Sequence, residues 1–101
     1  MVSQASESDA IVVDEGAALA LASQNRSLLP PGVLETVGAF ERGDIVSIVR
    51  PHRERIACGI ANYSSSELSR IKRLRSSEIA DTLGHHYGDE VVHRNNMVVL
   101  S

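Results

Sequence analysis

Cysteine occurs once, at Cys58, so no internal disulfide can form, which suits a reducing cytoplasm. Tryptophan is absent, and the aromatics are only Phe40, Tyr63 and Tyr87. A surface that stacks bases on aromatic platforms needs more than that. No apolar run approaches the roughly 18 residues of a membrane span. The start, "MVSQASESD", lacks the charged and apolar regions of a signal peptide. There is no glycine-rich loop between a strand and a helix to cradle phosphate, no G-x-S-x-G, and no C-x-x-C or H-x-x-x-H spacing. The four histidines, His52, His85, His86 and His93, therefore read as surface residues rather than ligands. On these grounds the chain alone does not look like an enzyme, and no metal is expected.

What is present is enough for one small domain. The chain has 101 residues, of which 43% are hydrophobic. The net charge of -3 argues against a strongly basic nucleic-acid binder. Its distribution is uneven, however. Residues 42 to 75 carry eight cations against Asp44, Glu54 and Glu67, while both flanks are acidic. Four of those cations, Arg70, Lys72, Arg73 and Arg75, fall within six positions. Such a cluster is either a solvated or domain-docking helix face, or a phosphate contact. The first reading is preferred for the cluster's place on the helix after "ANYSSSEL", and cations near a helix C-terminus are also favoured by its dipole.

Residues 1–9 read as a polar leader or linker remnant, and 10–101 as the folded domain. "AIVVD" reads as a buried strand. Asp14 is placed to cap the helix "EGAALALASQN", with Glu15 in its first turn. "LLPPG" is a rigid turn, because proline fixes φ and lacks a donor. "GVLETVG" and "DIVSIVR" read as strands, with Pro51 ending the second. "RPHRER" is a polar hairpin tip leading into the strand "RIACGIANY". There Ile56, Cys58 and Ile60 share one parity and are expected to face the core, with Cys58 as a buried, inert thiol. Gly59 marks a bulge or a close backbone approach. Ser64 and Glu67 form a capping box, which starts a helix near Ser65 with Leu68, Ile71 and Leu74 inward. "SSEIADTLG" reads as a second short helix, capped by Ser76 or Ser77 and closed by Gly84. "DEVVHRNNMVVL" reads as two strands about Asn95-Asn96, with His93 in the first. The total is about six strands: a mainly β, α+β small barrel with short helices.

The strings "VDEGAALAL", "SLLPPGV", "FERGDIVSI", "ACGIANYSSSEL" and "GDEVVHRNNMVVL" occur in this order from about Ile11 to Leu100. Together they resemble the C-terminal PUA domain of bacterial glutamate 5-kinase. The resemblance implies a PUA-like six-stranded pseudobarrel. It also implies a longer parent chain whose N-terminal amino-acid-kinase domain holds the catalytic residues and uses ATP and magnesium to make glutamyl 5-phosphate, the first step of proline biosynthesis, so that this chain would hold no catalytic residue and no cofactor and be inactive alone. The parent would be cytoplasmic, a homo-oligomer and free of membrane, with this domain in an accessory or regulatory role. PUA domains elsewhere bind RNA through the segment after the first helix, helped by the last strand. By that resemblance the candidate RNA-binding residues here are Arg26, Ser27, Leu29, Pro30, Pro31 and Gly32, with Arg94.

Overall fold

Ala10–Val13 form strand β1, and all four side chains are buried because the strand is covered on both faces. The computed structural model describes residues 9–100, so the expectation of a loose leader at 1–8 lies outside the described residues. Asp9 already belongs to the sheet, since its carbonyl accepts the Ser47 N–H at 3.1 Å. Helix α1, Glu15–Gln24, follows at once. The Asp14 carboxylate accepts the Ala17 N–H at 2.7 Å, and Asn25 closes the helix in the left-handed region at φ 52°. The first cap is the one expected from the sequence; Asn25, read there as the end of the helix, is its left-handed stop.

Pro30–Gly32 form one 3-10 turn that feeds β2, Val33–Val37. Strand β3, Ile45–Val49, and strand β4, Arg55–Ile60, make a hairpin through the "RPHRER" tip. Helix α2, Ser65–Ile71, starts on the expected capping box. A 3-10 turn at Ser76–Glu78 then runs into α3, Ile79–Leu83, which Gly84 ends at φ 82°. Ser76 and Ser77 therefore lie inside that turn and do not cap α3. A last 3-10 turn, Arg94–Asn96, precedes β5, Met97–Val99. The sheet order is β2-β1-β3-β4-β5, with β1 and β3 parallel and every other pair antiparallel.

The expected α+β class is what is found, with five strands instead of about six. Val91 and Val92 are buried, but their segment makes only the isolated bridge Leu28–Val92. Its backbone groups are divided among separate partners. Val91 donates to the Leu28 carbonyl, Leu28 donates to the Val92 carbonyl, and the Val91 carbonyl accepts from Asn62. A segment satisfied by two distant stretches has no continuous neighbour to extend a ladder. His93 accordingly leads into a 3-10 turn and is not in a strand.

Two further expectations are corrected. Helix α2 stops at Ile71, and Arg73 takes φ 67°, so Leu74 reaches the core from a turn. On β4 Ile56 is in the core as expected, but the register shifts there, and beyond it the core face is Ala57 and Gly59, not Cys58 and Ile60. Ala57 pairs with Ile48 and Val99, and Gly59 with Val46 and Met97, all on the side where the helices pack. The space there is tight: a Cβ on Gly59 would lie 2.7 Å from the Asn96 carbonyl oxygen and 2.7 Å from a Val92 methyl. Beyond Ile56 small residues are required inward, and the larger Cys58 and Ile60 are turned out. Cys58 is thus a half-buried thiol on the outer face, between Ser47 and Val98.

The main core joins Ile11, Val13, Val46 and Ile48 from the sheet to Leu21, Leu68, Ile71 and Ile79 from the three helices. A smaller cluster of Ala10, Val12 and Val49, with Leu34 and Val37 against it, lies on the other side of the sheet.

Candidate nucleic-acid interface

Arg26 to Gly32 and the turn at Arg94 are far apart in sequence and adjacent in space. The Leu28–Val92 bridge brings the two segments side by side, and the Ser27 hydroxyl accepts the Arg94 N–H at 2.9 Å. A groove results, lined by Gln24, Arg26, Ser27, Leu29, Glu90, His93 and Arg94. Its charge is two guanidinium groups against the Glu90 carboxylate, with His93 using Nδ1 to accept the Asn95 N–H. Arg26 and Arg94 are exposed, and Arg26 donates to the Gln24 side chain at 2.9 Å.

A second, more apolar cleft adjoins it along α1. Gly16, Ala17 and Ala20 form one wall, and Leu29, Pro31 and Gly32 the other. Gly32 must be small here, because a Cβ on it would sit 2.6 Å from the Ala17 Cβ. Of the candidate residues, Arg26, Ser27, Leu29 and Arg94 share the first groove, and Pro31 and Gly32 line the second. Pro30 is buried, with its carbonyl accepting the Arg73 N–H, so it is a support. Sequence reasoning missed His93, Glu90 and the α1 wall, because a single bridge between residues 28 and 92 leaves no periodic signal.

The basic cluster does not form one face. Only Arg70 lies on α2, where its guanidinium donates to the Thr82 carbonyl of α3. Arg73 reaches the Asp14 carboxylate at 2.6 Å, tying the end of α2 to the start of α1. Lys72 and Arg75 make no ion pair among the described residues. The cluster is spread over a helix, its end and a turn, two of its members being occupied in holding elements together.

Around Tyr63 lies a polar network that meets the groove at the Glu90 carbonyl. The Tyr63 hydroxyl donates to the Gly88 carbonyl at 2.6 Å and accepts the Tyr87 N–H at 2.9 Å. The Asn62 amide donates to the carbonyls of Tyr87 and Glu90. The Arg42 guanidinium sits 4.0 Å above the Tyr87 ring. His85 meets Glu67 at 2.6 Å, while His52 pairs with Glu54 and His86 with Asp89. Among the described residues no three His, Cys, Asp or Glu side chains converge as metal donors would. Burial raises the pKa of the Tyr63 phenol and the charges of Glu67 and Asp89 add to this, against the Tyr87 N–H and Arg42, so it remains a donor.

Burial pushes the Asp14 and Glu67 carboxyls up, but their hydrogen bonds more than offset it. Arg73 and the Ala17 N–H hold Asp14 below its ordinary value, and the Ser64 N–H and His85 do the same for Glu67. A carboxyl depressed in the folded state gives stability that is present above its unfolded pKa and lost as pH falls through the folded one. Urea midpoints should therefore decline below about pH 4.5, the upper end of the ordinary carboxylate range. Asp14→Asn keeps a capping side chain and Glu67→Gln keeps the shape, so each should flatten that decline while lowering stability at pH 7. An unchanged acid limb in both variants would show that these two groups do not drive it.

The sequence was then compared with known proteins. A family model described as "PUA domain" matches residues 9–83. Glutamate 5-kinase of Dehalococcoides mccartyi is 50% identical over 90 residues, 89% of this chain and 24% of that protein. Glutamate 5-kinase of Syntrophotalea carbinolica is 52% identical over 89 residues, again 24% of its length. The chain thus spans about a quarter of these relatives. Among solved structures, a PUA domain from Aeropyrum pernix in complex with tartrate superposes with a TM-score of 0.62 at 30% identity, covering 85% of this chain and 41% of that one. The archaeal box H/ACA sRNP Nop10-Cbf5 complex gives a TM-score of 0.56 at 28% identity, over 59% of this chain and 19% of that one. No described helix is long and apolar enough to cross a membrane.

Proposed function

The chain belongs to the PUA domain family, and from that premise we propose that it is the non-catalytic C-terminal accessory domain of a glutamate 5-kinase. The carrying observation is the extent of the likeness: nearly the whole of this chain, at about half identity, against a quarter of each kinase. ATP, magnesium and the γ-carboxylate of glutamate would then be handled by the remainder of the parent chain. The setting would be cytoplasmic, and the parent would be a homo-oligomer. Within that reading the domain affects assembly or regulation of the kinase.

A second reading is an RNA-binding module, favoured by the groove of Arg26, Ser27, Leu29 and Arg94. A fluorescence titration with a structured RNA hairpin and bulk transfer RNA, at low and physiological salt, separates the two. The accessory reading expects no saturable binding even at low salt. The RNA reading expects saturation with a log–log salt slope of about -1.5, as two phosphate contacts would give. It also expects the loss of that binding in Arg26→Ala or Arg94→Ala. Binding lost instead in Arg73→Ala and Arg75→Ala would move the interface to the basic cluster.

A further inference from the structure

The sheet has one face under helices and one without any. Residues on α1, α2 and α3 pack into the main core on the inner face, while the cluster on the outer face contains strand residues alone. Over β1 and β2 that outer face is closed by its own side chains, with Ala10 and Val12 buried. On β3 it is closed at Ser47 and Val49, which border a cleft with Arg53 and Arg55, and it is open at Ile45 and over the ends of β4 and β5. Ile45 pairs with Ile60, Ser47 with Cys58, and Cys58 with Val98, and Leu100 continues beyond Val98 with its N–H on the Ile56 carbonyl. Pairs in register put these side chains in adjacent rows of one face.

The exposures are high for such residues: Ile45 49%, Ile60 40%, Val98 63% and Leu100 40%. Four of the seven exposed large hydrophobics of the described chain thus fall in one stripe. None of these four side chains is charged, in a protein with 23% charged residues, and Arg53 and Arg55 border the face only at Ser47 and Val49. An uncharged apolar stripe on a sheet otherwise fully used is the mark of a surface that is covered in the working protein.

Two observations say what covers it. The relatives are about four times as long as the matching segment, so such a domain is joined to a much larger body. The chain also joins the sheet beside the stripe: the Asp9 carbonyl takes the Ser47 N–H, and Ser47 is the partner of Cys58, two residues along β3 from Ile45. A body tethered through the residues before Asp9 is held at high effective concentration against this face. We infer that the outer face of β3, β4 and β5, centred on Ile45, Ile60, Cys58, Val98 and Leu100, docks on the kinase portion of the parent chain. This rests on the accessory-domain reading and adds the surface through which it acts.

Cys58 reports on the face directly. Its labelling by a maleimide, followed by peptide mass spectrometry, is compared between the 101-residue chain and the full-length parent kinase. Protection should slow labelling in the parent by about tenfold or more. Val98→Arg and Ile60→Arg replace exposed side chains, so the isolated chain should keep its melting temperature. In the parent they should return Cys58 to the rate of the isolated chain. Equal labelling in the chain and the parent would overturn the docking surface. Protection already present in the isolated chain, appearing with concentration as it dimerises, would overturn it too and assign the face to a second copy. The premise is tested apart from this: if removing residues 9–100 leaves the parent's kinetics and assembly unchanged, the accessory reading itself falls, whatever Cys58 does.

Discussion

Tyr63→Ala is expected to leave little of this domain folded. Tyr63 is the largest fully buried side chain, and its ring packs against the Tyr87 ring at 5.3 Å. Truncating a buried aromatic to alanine costs about 3–5 kcal/mol through lost transfer energy and the cavity left behind. The hydroxyl adds to this. It is both donor to Gly88 and acceptor from Tyr87, and it is what folds the 84–90 loop onto the start of α2. The freed loop groups can be rehydrated in part, so the total loss is expected near 5 kcal/mol. A small domain holds only about 5–15 kcal/mol in all. Urea denaturation should show the midpoint of Tyr63→Ala close to zero, or a melting temperature lower by on the order of 20 °C. Tyr63→Phe separates the two contributions, since it keeps the ring and removes only the hydroxyl; about 1–3 kcal/mol should be lost. A loss under about 2 kcal/mol in the alanine variant would mean that the site collapses to fill the gap and that the loop is held by Asn62 alone.

The same network shows what could and could not be read from the sequence. Local signals were legible. The capping box of Ser64 and Glu67, the cap at Asp14, the turn at "LLPPG" and the helix stop at Gly84 each depend on residues a few positions apart. The resemblance carried by "NYSSSEL" and "HRNNMVVL" pointed to the family, and the structure shows why the first string is so particular. Asn62, Tyr63, Ser64 and Glu67 each make a separate bond, to residues 25 or more away in the case of the first two. Long-range satisfaction was not legible. "DEVV" has the composition of a strand, but its backbone groups are used by Leu28 and Asn62, so no ladder forms. The groove was half legible: Arg26 to Gly32 followed from the resemblance, whereas His93 and Glu90 arrive only through the bridge. Parity on β4 misled for a steric reason. Ile56, Cys58 and Ile60 are the more apolar set, yet past the register shift at Ile56 the inner side has room only for Ala57 and Gly59. Ile56 is buried in the core, but Cys58 and Ile60 are left facing out, where they now mark a docking surface.

That steric limit makes Gly59→Ala the second large effect. A single methyl is usually tolerated in a strand and even improves on glycine's conformational cost. Here it would meet the Asn96 carbonyl oxygen and a Val92 methyl, each at 2.7 Å, and the Met97 Cα at 3.2 Å. Two of those three atoms are backbone, so a rotamer change cannot relieve the contact. The strand must move away from the turn that leads into β5, which breaks the pairs of Gly59 with Met97 and Cys58 with Val98. Overpacking of this kind costs about 3 kcal/mol. Amide hydrogen exchange should show Met97–Val99 opening first, because β5 is three residues long and paired on one side only. Val92→Ala offers a control on the cause. It removes the methyl but leaves the Asn96 carbonyl, so the double variant should recover little of the loss. Full recovery in Gly59→Ala/Val92→Ala would show that side-chain crowding alone excludes a Cβ. No recovery fixes the cause in the main chain, where the last 3-10 turn lies against β4 and holds Arg94 beside Ser27 at the groove.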